Sequence, residues 1–444
     1  MKRHGPVDRW LILARRHGPT APIWRRRAAI LTGAVTLGLV ALFFAEAADW
    51  ANHLFLSLYR REKWAPLLLT PAGFGLLVWF TRRVAPDARG SGIPQIIAAR
   101  FDPDGALQSL ASARTAIVKF GLTIGGLLVG ASVGREGPTV QISATIMAYA
   151  HRLLRVPLRA SVMVAGGAAG VAAAFNTPLA GVTFAIEELA AAYEQRMTLL
   201  VMTAVLISGM VSLGLAGDYV YFGAMTDTLP LRQAIFVTPV AGITGGLTGG
   251  LFARLMLDFS RSPRRPLIWL RAHPVLTAIV AGAIVAAVGC STGLTWGTSY
   301  EPARLIIIGD EAPAWFGPAK FLATLATALS GLPGGIFAPS LATGAGLGDL
   351  LRTIFPMTAA GPVVLLGMVG YFTGVVRAPL TAVVILSEAT ASHSLLLPLL
   401  ATALIADAVA SLVCRERLYH GLSKAFMPAE KAPRDNSEST ATQP

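Results

Sequence analysis

The chain has 444 residues, of which 54% are hydrophobic and 14% charged, with a formal net charge of +13. Soluble domains carry about 25% charged residues, so this composition excludes a soluble enzyme or binding module and specifies a polytopic membrane protein. Its two cysteines, Cys290 and Cys414, sit in or beside apolar segments and read as packing residues, because two such distant positions build no metal or redox motif.

Residues 1–27 form a basic segment. Lys2, Arg3, Arg9, Arg15, Arg16, Arg25, Arg26 and Arg27 precede the first apolar stretch, which by the positive-inside rule places the N-terminus in the cytoplasm. No aromatic-interleaved module accompanies them, so the basicity reads as topology and not as nucleic-acid binding. No small-residue cleavage site of a signal peptide is evident. Apolar stretches of spanning length follow at 28–47, 64–80, 115–132, 197–215, 234–257, 274–290 and 394–413. Gly and Pro are abundant within them, which predicts broken or short helices. The polar tail 430–444, rich in Pro, Ser and Thr, is expected to be disordered. The whole reads as an all-α polytopic protein with one integrated membrane domain over 28–425.

The sharpest local signal is Gly134-Arg135-Glu136-Gly137-Pro138, after a span without acidic residues. An acid at the mouth of a membrane helix is expensive to bury and is a functional candidate by default. The glycines let the backbone bend, and Pro138 suits the first turn of a helix. The free N–H groups of such a helix start carry partial positive charge and bind anions. An acid poised over an anion site reads as a gate.

A weak internal repeat runs at a constant offset of 201 residues. Lys119-Phe120 matches Lys320-Phe321. The Gly134–Pro138 motif matches Gly335-Ile336-Phe337-Ala338-Pro339. Thr177-Pro178-Leu179 matches Ala378-Pro379-Leu380, and Glu187 matches Glu388. Two halves, about 28–215 and 231–425, therefore each carry a Gly-rich loop, a helix with proline in its first turn, and a Pro-Leu helix ending in Glu. Paired Gly/Pro-interrupted segments point to a transporter binding site. If the halves are inverted, the helices near Pro138 and Pro339 aim their N-termini at one point, an anion site without a buried Lys or Arg.

At this point the chain resembles the CLC family of chloride channels and chloride/proton antiporters. Three motifs match in the family's order: Gly90-Ser91-Gly92-Ile93-Pro94, the Gly134–Pro138 motif and the Gly335–Pro339 motif, with Tyr419 in Arg417-Leu418-Tyr419 where the family has its last anion ligand. The resemblance implies an inverted repeat of tilted, broken helices and a homodimer with one pore per subunit. It implies that Ser91, Gly92, the backbone N–H groups of Ile336 and Phe337, and the Tyr419 phenol bind chloride. Glu136 resembles the external gating glutamate, and Glu188 falls where antiporters carry an internal proton-transfer acid that channels usually lack. Chloride and protons are then the substrates, no cofactor or metal is needed, and the setting is the lipid bilayer of a bacterial inner membrane. Soluble nucleotide-binding modules of eukaryotic members are absent, as in compact prokaryotic forms.

Each residue also has a plainer reading. Ser91 could be a loop or cap residue, Tyr419 an interfacial aromatic, and Phe337 ordinary core instead of a pore-lining ring. Glu187 and Glu388 read as structural acids, whereas Glu188 has Ala389 as its repeat partner and suits a directional proton route. Arg135, Lys119 and Arg377 read as structural charges satisfied by carbonyls or carboxylates. His4, His17, His53, His151, His273, His393 and His420 form no cluster along the chain, and none is assigned a role. Departures from the family pattern are Gln95 after Pro94, and Ser143 and Ala144 after Ile142; they bear on selectivity and helix packing. The leading function is chloride/proton exchange. The alternatives are a passive chloride channel and a fluoride/proton antiporter, whose branch typically alters the first two motifs. An intramembrane hydrolase lacks its nucleophile and base motifs here, so the chain is not read as an enzyme.

Overall fold

A computed structural model describes residues 21–190, 195–217 and 220–427; the predicted tail 430–444 lies outside them. In chain order come α1 (Ala21–Arg61), α2 (Pro66–Val84), α3 (Ile93–Ala99), α4 (Ala113–Leu128), α5 (Glu136–Leu153), α6 (Ala160–Phe175) and α7 (Pro178–Phe184), which continues into a π-helical turn, Ala185–Leu189. Then follow α8 (Gln195–Ala216), α9 (Leu231–Arg261), α10 (Pro274–Thr292), α11 (Phe316–Leu329), α12 (Phe337–Ile354), α13 (Ala360–Val376), α14 (Pro379–Ala389), α15 (Leu396–Val413) and α16 (Leu418–Ser423), with short helices and 3₁₀ turns between some of them.

Arg25, Arg26 and Arg27 lie in the first turns of α1, so the helix begins ahead of the apolar stretch. No proline interrupts the chain between Pro22 and Pro66, and Arg is a good helix former. The predicted span at 115–132 is instead the 16-residue helix α4. At 1.5 Å per residue it covers about 24 Å, short of a hydrocarbon core of about 30 Å. Its C-terminal end gives way to the non-helical approach to Glu136.

Among the described residues, five helices have the length and composition to cross a bilayer: Ile23–Arg61, Thr198–Leu215, Leu231–Arg261, Pro274–Thr292 and Leu396–Val413. Their outward faces are apolar; Phe43, Leu199, Met210, Leu397 and Leu412 are all exposed. A contiguous exposed apolar surface on a chain this hydrophobic is the face that meets lipid. The chain is a multi-pass membrane protein. By contrast α6 and α13 are apolar all round and lie inside the protein, with every residue from Gly361 to Val376 buried. A helix hydrophobic on every side belongs in a core.

The repeat seen in sequence is a repeat in space. α5 and α12 are both 18 residues long and start 201 residues apart (337 − 136). α6 pairs with α13 and α7 with α14 at nearly the same offset. The halves meet head on at the two motifs: Gly134 N donates to Gly335 O at 2.8 Å, and Gly335 N donates to Gly134 O at 2.7 Å. This reciprocal antiparallel bridge sets the first turns of α5 and α12 side by side, running opposite ways. The same device supports both halves. The buried Lys119 ammonium donates to Ala88 O and Gly90 O at 2.8 and 2.6 Å. Lys320, equally buried, donates to Thr295 O and Gly297 O at 3.1 and 2.7 Å. Burying an ammonium is tolerated only when its donors are satisfied, and here they pin one loop in each half.

Glu187 and Glu388 tie the halves together. The Glu187 carboxylate accepts from Leu380 N at 2.9 Å and from Thr381 N and Oγ1 at 2.6 and 2.7 Å, so it caps the start of α14. Glu388 returns the contact, accepting from Leu179 N at 3.2 Å and Ala180 N at 2.9 Å at the start of α7. Each acid satisfies amides that a helix start leaves without partners. Glu388→Ala is expected to lower stability by about 1 kcal/mol, in line with loss of a helix cap. The midpoint of thermal unfolding in detergent reads this; an unchanged midpoint would show that the cap contributes nothing.

Candidate functional site

The site forms where α3, α5, α12 and α16 converge. Gly92 caps α3 with φ +107°, a backbone open to glycine and strained for other residues. A Cβ there would stand 2.8 Å from Gly137 O. Gly137 in turn has no room for a side chain, because a Cβ would lie 2.3 Å from Ser91 Oγ. The two motifs therefore fit together through missing side chains, and Ser91 is brought against the first turn of α5.

Glu136 opens α5 and is buried. Its carboxylate folds back beside Gly134, where a Cβ would lie within 2.1 Å of Oε2. Oε2 accepts from Ala338 N, in the first turn of α12, over a long 3.5 Å, and Oε1 has no hydrogen-bond partner among the described residues. The acid of one half thus sits on the helix start of the other, a place suited to any anion. The contact is long, and the carboxylate also faces the N–H of its own residue at the start of α5, so amides of both helix starts hold it. Arg135, its neighbour, turns away: its guanidinium donates to Ala45 O at 2.7 Å and to Asp49 Oδ2 at 2.8 Å, anchoring the motif to α1. The predicted structural reading of Arg135, Lys119 and Arg377 holds; Arg377 donates to Asp407 Oδ1 at 2.9 Å.

Ser91, Ile336 and Tyr419 share the wall of a cavity of about 470 Å³. Ile336 and Tyr419 are buried, while the exposed Arg82 and Arg89 also line it, so the cavity runs from a basic rim to a neutral interior. Ser91 Oγ and Tyr419 Oη are buried and interact with each other, but neither makes a hydrogen bond of good geometry among the described residues. Native proteins rarely leave such donors unused without reason, and two hydroxyls with nearby helix-start amides make a neutral donor set. Pro138 and Pro339 lie in the first turns of α5 and α12, where an amide would have no intrahelical partner anyway.

Phe337 differs from expectation. Its ring does not line the cavity. It meets Phe184 and Phe372 edge to face at 5.7 and 4.9 Å and leans on Tyr419 at 5.9 Å. Edge-to-face contacts of this kind hold a ring in a core, so Phe337 offers the site its backbone and buttresses the Tyr419 ring.

Glu188 lies apart from Glu136, on the π-helical turn, and its side chain is 0% exposed. The turn closes with Ala190 N donating to Ala185 O at 2.8 Å, one residue wider than an α-turn. Such bulges re-aim side chains and cluster at functional sites. Here Glu187 faces α14 and Glu188 faces α16. His420 Nδ1 stands 3.2 Å from Glu188 Oε1 without the alignment of a hydrogen bond. Arg100, at the end of α3, donates to the next carbonyl, Leu189 O, at 2.7 Å. Sequence reasoning missed both residues; the one available signal was the adjacency of His420 to Tyr419.

Two halves of broken helices that meet at a buried acid and a set of neutral donors define a membrane transport protein. The chain matches the family described as "Voltage gated chloride channel" over residues 72–411, and it belongs to that family. It is 31% identical over 427 residues to the H(+)/Cl(-) exchange transporter ClcA of Citrobacter koseri, covering 88% of this chain and 86% of that one. Among solved structures it is similar to a slow cyanobacterial Cl-/H+ antiporter, with a TM-score of 0.75 and 25% identity over 90% of this chain and 98% of that one. In fold alone it is similar to a CLC-type fluoride/proton antiporter, with a TM-score of 0.75 and 21% identity over 89% of this chain and 96% of that one.

Proposed function

We propose that this chain exchanges chloride for protons across a membrane, with 28–425 as its transport domain. The observation that carries this reading is the placement of two buried acids: Glu136 on the start of α12, and Glu188 facing α16 on a separate element. Chloride enters through the basic rim, where Arg82 and Arg89 raise its local concentration. It then binds between Ser91 Oγ, Tyr419 Oη and the amides of Ile336 and Phe337. Neutral donors suit an ion that must both bind and leave. The Glu136 carboxylate competes with chloride for the helix starts; once protonated it loses that attraction and yields the place. Protons reach the interior through Glu188. The protein works as a homodimer in a bacterial inner membrane with its N-terminus in the cytoplasm, as the basic residues ahead of the first span imply.

Proteoliposomes loaded with chloride and followed for chloride and proton movement together test the reading. Uphill proton uptake driven by chloride efflux is the expected result. A reversal potential that stays at the chloride equilibrium value whatever the proton gradient would establish a passive channel instead.

The central site has its own test. Tyr419→Phe keeps the ring against Phe337 and removes one donor. A neutral hydrogen bond contributes about 1 kcal/mol, so chloride affinity by isothermal titration is expected to fall roughly 3- to 10-fold. Unaltered affinity would remove the phenol from the site.

A further inference from the structure

We propose that His420 relays protons between solvent and Glu188, an assignment that rests on the exchange reading above. Glu188 is 0% exposed, so water does not reach its carboxylate directly; the His420 side chain is 32% exposed and its Nδ1 lies 3.2 Å from Glu188 Oε1. One side chain therefore touches both the solvent and the buried acid.

The other charged and titratable groups around this pair are committed elsewhere or cannot shuttle. The Glu187 carboxylate caps α14. Arg100 and Arg417 donate to Leu189 O and Glu187 O, and a guanidinium does not deprotonate in proteins. On α9, Arg261 holds Glu416 and Gly421 O, and Asp258 lies 3.8 Å from Arg254. Lys424 completes the Glu416 pair at 2.9 Å. The Tyr419 phenol belongs to a class that releases its proton only near pH 10. Imidazole is the one group among these that takes up and gives back a proton near neutral pH.

The step balances without any further reactant. A proton from water binds Nε2 and makes an imidazolium. Nδ1–H then passes to Glu188 Oε1, and imidazolium plus carboxylate become imidazole plus carboxylic acid. α16 thereby serves both ions with adjacent residues, Tyr419 toward the chloride cavity and His420 toward the acid.

His420→Asn and His420→Gln place an amide near Nδ1 or Nε2 but carry no titratable proton. With the full chain in proteoliposomes, both are expected to cut chloride-driven proton uptake at least about tenfold, a modest share of what a positioned proton-transfer group supplies. Chloride flux should persist, which also reports folding and insertion. The pH profile of proton uptake should change, and imidazole added on the His420 side should restore uptake. The relay is overturned if both variants keep the wild-type chloride-to-proton ratio and pH profile. It is equally overturned if uptake falls but imidazole gives no rescue and the pH profile is unmoved, because His420 is then only structural. If the wild-type protein moves no protons at all, the exchange reading fails first.

Discussion

Glu136→Gln is expected to abolish proton transport and leave a passive chloride leak that no longer responds to pH. The carboxylate lies against the first turn of α12, with Ala338 N as a donor and Oε1 unpartnered among the described residues. Charge holds it there, because a helix start attracts anions. Gln has the shape of the protonated acid but cannot release a proton, so the position neither closes as an anion nor carries protons. Glu136→Ala should behave alike and should open the space beside Gly134 to an additional anion, visible as bromide density in a crystal. Chloride and proton fluxes measured on the same vesicles read both variants. Either variant pumping protons uphill on a chloride gradient would remove Glu136 from the coupling step.

The second large effect belongs to Glu188. Glu188→Gln should reduce chloride-driven proton uptake to the level of protein-free vesicles while chloride still crosses. Gln preserves size and hydrogen bonding, and neither Glu188 oxygen has an aligned hydrogen bond to lose among the described residues. A large effect on protons with little effect on stability therefore separates a proton carrier from a packing residue. Glu187 is the internal control: its carboxylate receives three hydrogen bonds on α14, so its replacement should disturb stability first. Wild-type proton uptake in Glu188→Gln would make the acid structural and place proton entry elsewhere.

Much of this architecture was legible along the chain because it depends on residues whose effect is local. Glycine at 134 and 137 and proline at 138 dictate a bend followed by a helix start whatever surrounds them. The constant offset of 201 places a second such start at 337, and α5 and α12 begin at equivalent residues. Lys119 was readable as a structural charge, since an ammonium inside a membrane protein must be met by carbonyls. The exchange of caps between Glu187 and Glu388 was not readable, because it pairs residues about two hundred positions apart.

The same distinction separates the two acids. Sequence by itself determined that Glu136 sits at a helix start, because the bend and the free first-turn amides are properties of the local backbone. It determined equally that the protein is an α-helical, membrane-embedded repeat, because hydropathy and period are local sums. Only the tertiary structure decided that the Phe337 ring is held by Phe184 and Phe372 away from the cavity wall. Only it decided that Ser91 and Tyr419, from opposite ends of the chain, share one cavity, and that a π-helical turn aims Glu188 at His420. These are contacts between distant segments, and their geometry follows from how helices pack against one another, a quantity that no short stretch of sequence contains.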